Sequence, residues 1–451
     1  MKIGIVVQRY GADINGGAEL HARYIAEHLA AHASVTVFTT CARDYVTWKN
    51  ELPPGDDTVN GISVRRFAVA RERTPRDFGR RSARVFDQPH SVADEIGWLE
   101  SEGPASPALV RHVESVSSEL DFIVIFSYRY YHAWHLARRL PSKAVMVPTA
   151  ERDPAVGLST FGPVFRGVRA LMYNSPEEQA MIEGVADNAG VPGVVVGVGS
   201  NLPERTEPER FRRTFKMNRP FAIYIGRIDE NKGCAELFSH FQRYAAAFPR
   251  GLDLVLIGSA ILDIPAHPRI HHLGFASDRD KFDALAAADL LIMPSYYESL
   301  SMVALEAWGL GRPVLANGRC DVLKGQCIRS NAGLYYENYE EFVEALYSLE
   351  SNGPLNTRLG QNGREFFRRH YAWQVIERKY LEMFDRLKAS GFSRNDMEPL
   401  PGWWARRQRT LPAARTVLDR APRGPVPAGR QPGAADRPSR SSGVDLKRQL
   451  A

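Results

Sequence analysis

The chain has 451 residues, 44% apolar and 24% charged, the composition of a folded protein too long for a single hydrophobic core. Its formal charge of +6 is concentrated at one end: from Gly391 onward there are twelve Lys/Arg and five Asp/Glu, against 46 and 47 in the rest, so a nucleic-acid-binding core is excluded. The apolar run at the N-terminus is too short for a secretory leader and no stretch is long enough to span a bilayer, as expected of a cytoplasmic protein.

In chain order, residues 3–7 (IGIVV) read as a buried strand and 19–31 as an amphipathic helix. Residues 35–39, 122–126, 144–147 and 170–173 read as further strands. Their continuous apolar runs suit a parallel sheet covered on both faces. Residues 62–67 alternate and are expected nearer an edge. After Asn201-Leu202-Pro203 a second series begins, with strands at 221–225, 254–257, 270–273, 290–293 and 314–316 and helical segments between them. Two doubly wound α/β units in tandem follow: an N-terminal domain over 1–203 and a C-terminal one over 204–370. An amphipathic helix is predicted at 371–390, with a Pro/Gly/Arg-rich, disordered tail over 391–451. Cys41, Cys234, Cys320 and Cys327 show no paired spacing and read as reduced thiols.

Three segments carry candidate chemistry. Gly16-Gly17 separates the first strand from the first helix, where glycines let backbone approach a ligand and free N–H groups attract anions. Taken alone, the pair is accounted for by an ordinary flexible strand-to-helix turn. In the second unit, Gly226-Arg227 is followed by Ile-Asp-Glu-Asn-Lys232-Gly233. Arg227 and Lys232 at the end of a parallel strand can clamp a diphosphate, or the loop is solvated and Arg227 pairs with Asp229 or Glu230. The third segment runs from Pro294 to Pro313. Ser299 or Ser301 is a candidate helix cap, which would leave the N–H groups of Leu300, Ser301, Met302 and Val303 for a phosphate. Glu298 precedes that helix and Glu306 lies a turn inside it. They can meet opposite ends of one ligand: Glu298 a sugar, Glu306 two ribose hydroxyls. Glu306 sits among apolar neighbours and needs a partner if buried.

The blocks PSYYESLSMVALEAWGLGRPVLAN, YIGRIDENKG and GADINGGAELHARYIAEHLA, in this order of decreasing specificity, resemble retaining glycosyltransferase family four, the group 1 glycosyl transferases. The resemblance covers about residues 1–390. It implies the B-type fold, two Rossmann-like domains facing across a cleft, with a nucleotide sugar held mainly by the second and the acceptor by the first. It also implies a metal-independent transfer with retention, in which Arg227 and Lys232 hold the diphosphate, Glu298 the donor sugar and Glu306 the ribose. A glycan or lipid-linked acceptor in cell-surface polysaccharide assembly follows from the family's habits. Many members have glycine where this chain has Ser299 and Ser301, so altered sugar contacts are expected.

Other residues draw less specific expectations. Asp278-Arg279-Asp280 follows Ser277 at a helix start, where acids favour the dipole, and is read as a cap rather than a metal site. His132 or His135 is placed at the acceptor side of the cleft by resemblance, with packing as the alternative. Glu151 and Asp153 follow a strand and are expected to line the same side. In the tail, Trp403-Trp404 with Arg406, Arg407 and Arg409 suits a peripheral contact with anionic lipid, and equally a plain basic extension. Two rival functions remain: a nucleotide-sugar epimerase of the same fold, and a non-catalytic nucleotide-sugar-binding protein. A dehydrogenase lacks its dinucleotide fingerprint here.

Overall fold

Strands rich in branched and aromatic residues form where both faces of a sheet are covered, and Phe122–Phe126 is buried at every position. In the computed structural model, which describes residues 1–14, 16–391 and 397–398, such strands assemble two sheets. The first contains β1 (Lys2–Val6), β2 (Ser34–Thr40), β3 (Gly55–Val59), β4 (Ile62–Phe67), β5 (Phe122–Phe126), β6 (Ala144–Val147), β7 (Ala170–Tyr173) and β8 (Gly193–Val195). Their order is β3-β4-β2-β1-β5-β6-β7-β8. The second contains β9 (Phe221–Ile225), β10 (Asp253–Ile257), β11 (Ile270–His272), β12 (Leu290–Met293), β13 (Val314–Asn317) and β14 (Gly333–Tyr336), in the order β11-β10-β9-β12-β13-β14. All pairings are parallel except that of β3 with β4.

The helices of the first half are α1 (Gly17–Leu29), α2 (Pro75–Asp87), α3 (Val92–Glu102), α4 (Pro107–Ser115), α5 (Tyr131–Arg139), α6 (Gly162–Gly167) and α7 (Pro176–Ala186). Those that follow are α8 (Pro208–Thr214), α9 (Cys234–Ala247), α10 (Asp278–Ala287), α11 (Met302–Gly309), α12 (Asp321–Ser330), α13 (Tyr339–Ser351), α14 (Gly353–His370) and α15 (Trp373–Ala389). Both halves belong to one unit, Met1–Leu400. α15 returns to the first half: Trp373 stacks on His28 with centroids 3.6 Å apart, and Phe384 stacks on Phe122 at 4.8 Å. The lipid-contact reading of Trp403-Trp404 and the disorder expected of the tail lie outside the described residues, apart from the few up to residue 398.

The strand at 62–67 is β4, next to the edge as expected; the edge itself is β3, which the sequence reading lacked and which pairs antiparallel along β4. Asn60 and Gly61 have φ of 50° and 81° and make the two-residue turn that such a hairpin requires.

Candidate active site

The strand order reverses once in each sheet, between β1 and β5 and between β9 and β12. In open parallel sheets, ligands bind outside the carboxyl ends of the strands at such a reversal. Here the loops leaving β1, β2, β5, β6 and β7 from one half and β9 and β12 from the other line a single cavity of about 570 Å³.

The loop after β9 is shaped by two contacts. Asp229 Oδ1 accepts the N–H of Lys232 at 2.8 Å, and the chain enters α9 at Gly233 with φ of 70°. A Cβ at Gly233 would sit 2.0 Å from the carbonyl oxygen of Pro294, so only glycine lets the loop close on the end of β12. That approach brings Lys232 Nζ to Glu298 Oε1 at 2.7 Å. Burial disfavours the ammonium, but Glu298 and Glu151 outweigh it and raise the Lys232 pKa. Arg227 is paired with Asp229, and its Nη1 donates to the Tyr45 hydroxyl of the first half at 3.1 Å. Arg227 thus has its acidic neighbour as partner, and both cations line the cavity.

Of the two candidate caps for α11, Ser301 takes the role. Its Oγ accepts the Ala304 N–H at 3.2 Å, and the residue is 3% exposed and does not line the cavity. Ser299, Leu300 and Met302 do line it. Ser299 Oγ accepts from Asn174 Nδ2 of the first half at 3.2 Å.

Glu306 departs from its expected place. It is 2% exposed and absent from the cavity lining. Its Oε1 accepts from Lys281 Nζ at 3.0 Å and Ser200 Oγ at 3.1 Å, while Oε2 is buried without a hydrogen-bond partner among the described residues. The partner its burial demands is thus Lys281. A ribose would have to reach Glu306 past that ion pair.

On the first-half side Gly16 and Gly17 line the cavity, as do Glu151 and Asp153. Burial pushes the Glu151 pKa up to about 7, opposed by Lys232 and reinforced by Glu298. His132 is corrected. It is fully buried on α5, off the cavity lining, and burial depresses its pKa to about 3. The histidine that does line the cavity is His21, on α1. Sequence reading also missed Arg9, Glu19, Tyr45, Arg129 and Asn174. Arg9 Nε donates to Glu19 Oε1 at 2.7 Å and Arg129 Nε to Glu102 Oε1 at 2.8 Å, so each cation on this side is held by a carboxylate. Arg9 stands three residues beyond β1, a position that marks it; Tyr45 sits in a long irregular loop with no local signal. The expected cap at Asp278-Arg279-Asp280 forms: Ser277 Oγ accepts the Asp280 N–H at 3.1 Å, and Asp280 is engaged by Arg210.

Two parallel α/β halves with one cleft at the carboxyl ends of both sheets define the B-type glycosyltransferase fold. Residues 205–366 match the family described as glycosyl transferases group 1. The lipopolysaccharide core biosynthesis glycosyltransferase LpsE of Rhizobium meliloti is 27% identical over 175 residues, 36% of this chain and 49% of that protein. The chain covers about half the length of this and the next curated relatives, 49% to 54%. A longer match, 21% identical over 84% of this chain and 93% of the relative, is to the D-inositol 3-phosphate glycosyltransferase of Corynebacterium urealyticum. Among solved structures, sucrose-phosphate synthase from Thermosynechococcus elongatus shares the fold, with a TM-score of 0.64, 18% identity, and coverage of 86% of this chain and all of that one.

Proposed function

We propose that this protein transfers a sugar from a nucleotide-sugar donor to a glycan or lipid-linked acceptor, retaining the donor's anomeric configuration, in the assembly of a cell-surface polysaccharide. The observation that carries the reading is the Lys232–Glu298 pair, set at the carboxyl ends of β9 and β12 and facing the Glu151 loop of the other half. When a donor enters, its diphosphate competes with Glu298 for Lys232 and with Tyr45 for Arg227. The two cations then stabilise the charge that develops on the leaving group, with no obligatory metal. Glu298, released from Lys232, accepts hydrogen bonds from the donor sugar. The acceptor hydroxyl enters from the first half, where Glu151 and Asp153 supply acceptor oxygens, and its proton passes to the departing diphosphate. The cavity is lined by four cations, Arg9, Arg129, Arg227 and Lys232, and four acids, Glu19, Glu151, Asp153 and Glu298, and this balance suits a hydroxyl-bearing acceptor. The name of the Rhizobium relative supports the polysaccharide context.

The reading is tested by proton NMR of product formed early in the reaction. The anomeric coupling of the transferred sugar is expected to match that of the donor. An inverted product contradicts the mechanism.

A further inference from the structure

Glu178 stands in the first turn of α7 and is 1% exposed, outside the cavity. One carboxylate oxygen accepts the backbone N–H of Ala150 at 2.5 Å, and the other accepts that of Asn174 at 2.5 Å. Its own N–H donates to Ser175 Oγ at 3.1 Å, which fixes the turn that aims it. Ala150 follows β6 and Asn174 follows β7, so one side chain fastens the exit loops of two neighbouring strands. Burial works against the carboxylate here and raises its pKa, while the two N–H groups it accepts pull the other way and favour the charged form. Packing of α7 alone would be served as well by an apolar side chain. A carboxylate has two acceptor oxygens on one rigid plane, and this site uses both.

What the two loops present explains why they need fixing. Glu151 and Asn174 both line the cavity. Glu151 has charged neighbours but no hydrogen-bond partner among the described residues. Asn174 is 2% exposed; its Nδ2 donates to Ser299, next to Glu298, while its Oδ1 is buried with no hydrogen-bond partner among the described residues. Two acceptor groups without donors therefore sit on adjoining strand ends opposite the Glu298 segment. Hydroxyl groups are the donors that would complete them.

We propose that Glu178 is a positioning residue of the cleft, setting the β6 and β7 loops so that Glu151 and Asn174 accept hydrogen bonds from sugar hydroxyls opposite Glu298. The sugar rests on the transfer reading above; the double tie does not. The test compares full-length wild type, Glu178→Gln and Glu178→Asp by hydrogen exchange and by kinetics. Gln offers one acceptor oxygen and turns an NH₂ toward the other amide, whereas Asp keeps two oxygens on a shorter arm. In Glu178→Gln, peptides containing Ala150 and Asn174 should exchange at least tenfold faster together, with the 221–336 segment unchanged. With the donor found by ligand screening, kcat should fall at least tenfold, while affinity for that donor's nucleoside diphosphate stays within twofold. Glu178→Asp should recover part of both effects, and should the Gln variant fail to fold, Asp against wild type gives the same comparison. Wild-type exchange at either loop, faster exchange spread over the whole chain, or an unchanged kcat would each overturn the proposal. If wild type turns over no nucleotide sugar, the transfer reading falls and the exchange comparison still decides the tie.

Discussion

Lys232 pairs with Glu298 and Arg227 with Asp229, and both cations are assigned to a donor's diphosphate in the proposed reaction. Arg227→Ala removes a charge whose partner Asp229 is also bonded to the loop backbone, and the loop geometry should survive. Lys232→Ala leaves Glu298 without its cation. Both should lower kcat by on the order of a hundredfold, as for other electrostatic contacts to a leaving group, with the fold intact by circular dichroism. Wild-type kinetics in either variant would remove that residue from the site. His132 makes a different prediction, about stability. Its folded pKa of about 3 lies below the ordinary 6.5, so the neutral ring is favoured in the fold. Its contribution is fully present above about pH 6.5 and is lost as pH falls toward 3, where the unfolded chain binds the proton. His132→Phe should therefore flatten the acid side of the stability curve. Urea denaturation at pH 7 and pH 4 should show a smaller loss in the variant than in wild type.

At the scale of the element, the donor loop depends on backbone geometry before it depends on charge. Gly233→Ala must place a Cβ against the Pro294 carbonyl at positive φ, which costs about 1–3 kcal/mol for the backbone alone, besides the contact. Chemical denaturation should register that loss, and donor affinity should fall with it because Lys232 is the preceding residue. Much of this was legible in sequence. The parallel strands announced themselves as apolar runs, Ser277 as a cap and Ser301 as one of two cap candidates, and Gly226 to Gly233 as a loop at a strand end. β3 escaped because GDDTV is acidic and three of its five residues face solvent, although Asn60-Gly61 beside an alternating strand was a usable hairpin signal. His132 and Glu306 escaped for a further reason. Spacing places a residue on an element, but which face packs inward depends on the neighbouring elements. His132 is buried on α5, and Glu306 turned to Lys281 on α10, a helix whose approach no local pattern specified.

At the scale of the whole molecule, the bonds between the two halves among the described residues include Arg227 to Tyr45, Asn174 to Ser299, Ser200 to Glu306, Arg152 to Asp321 at 2.7 Å and Arg329 to Glu177 at 3.0 Å. The Arg152–Asp321 pair is largely exposed and contributes little. Ligands that bridge the halves can therefore add substantially to the stability of the folded chain. The most direct test of the central claim, that this cleft binds a nucleotide sugar through the loops after β9 and β12, is a thermal-shift panel of nucleotide sugars on the full-length protein and on Lys232→Ala. At about a hundred times its dissociation constant, a bound donor should stabilise the wild-type protein by about 2.7 kcal/mol. One nucleotide class should raise the melting temperature of the wild type, and the same ligand should leave Lys232→Ala unshifted. No shift with any nucleotide sugar, or an equal shift in both proteins, would contradict the account.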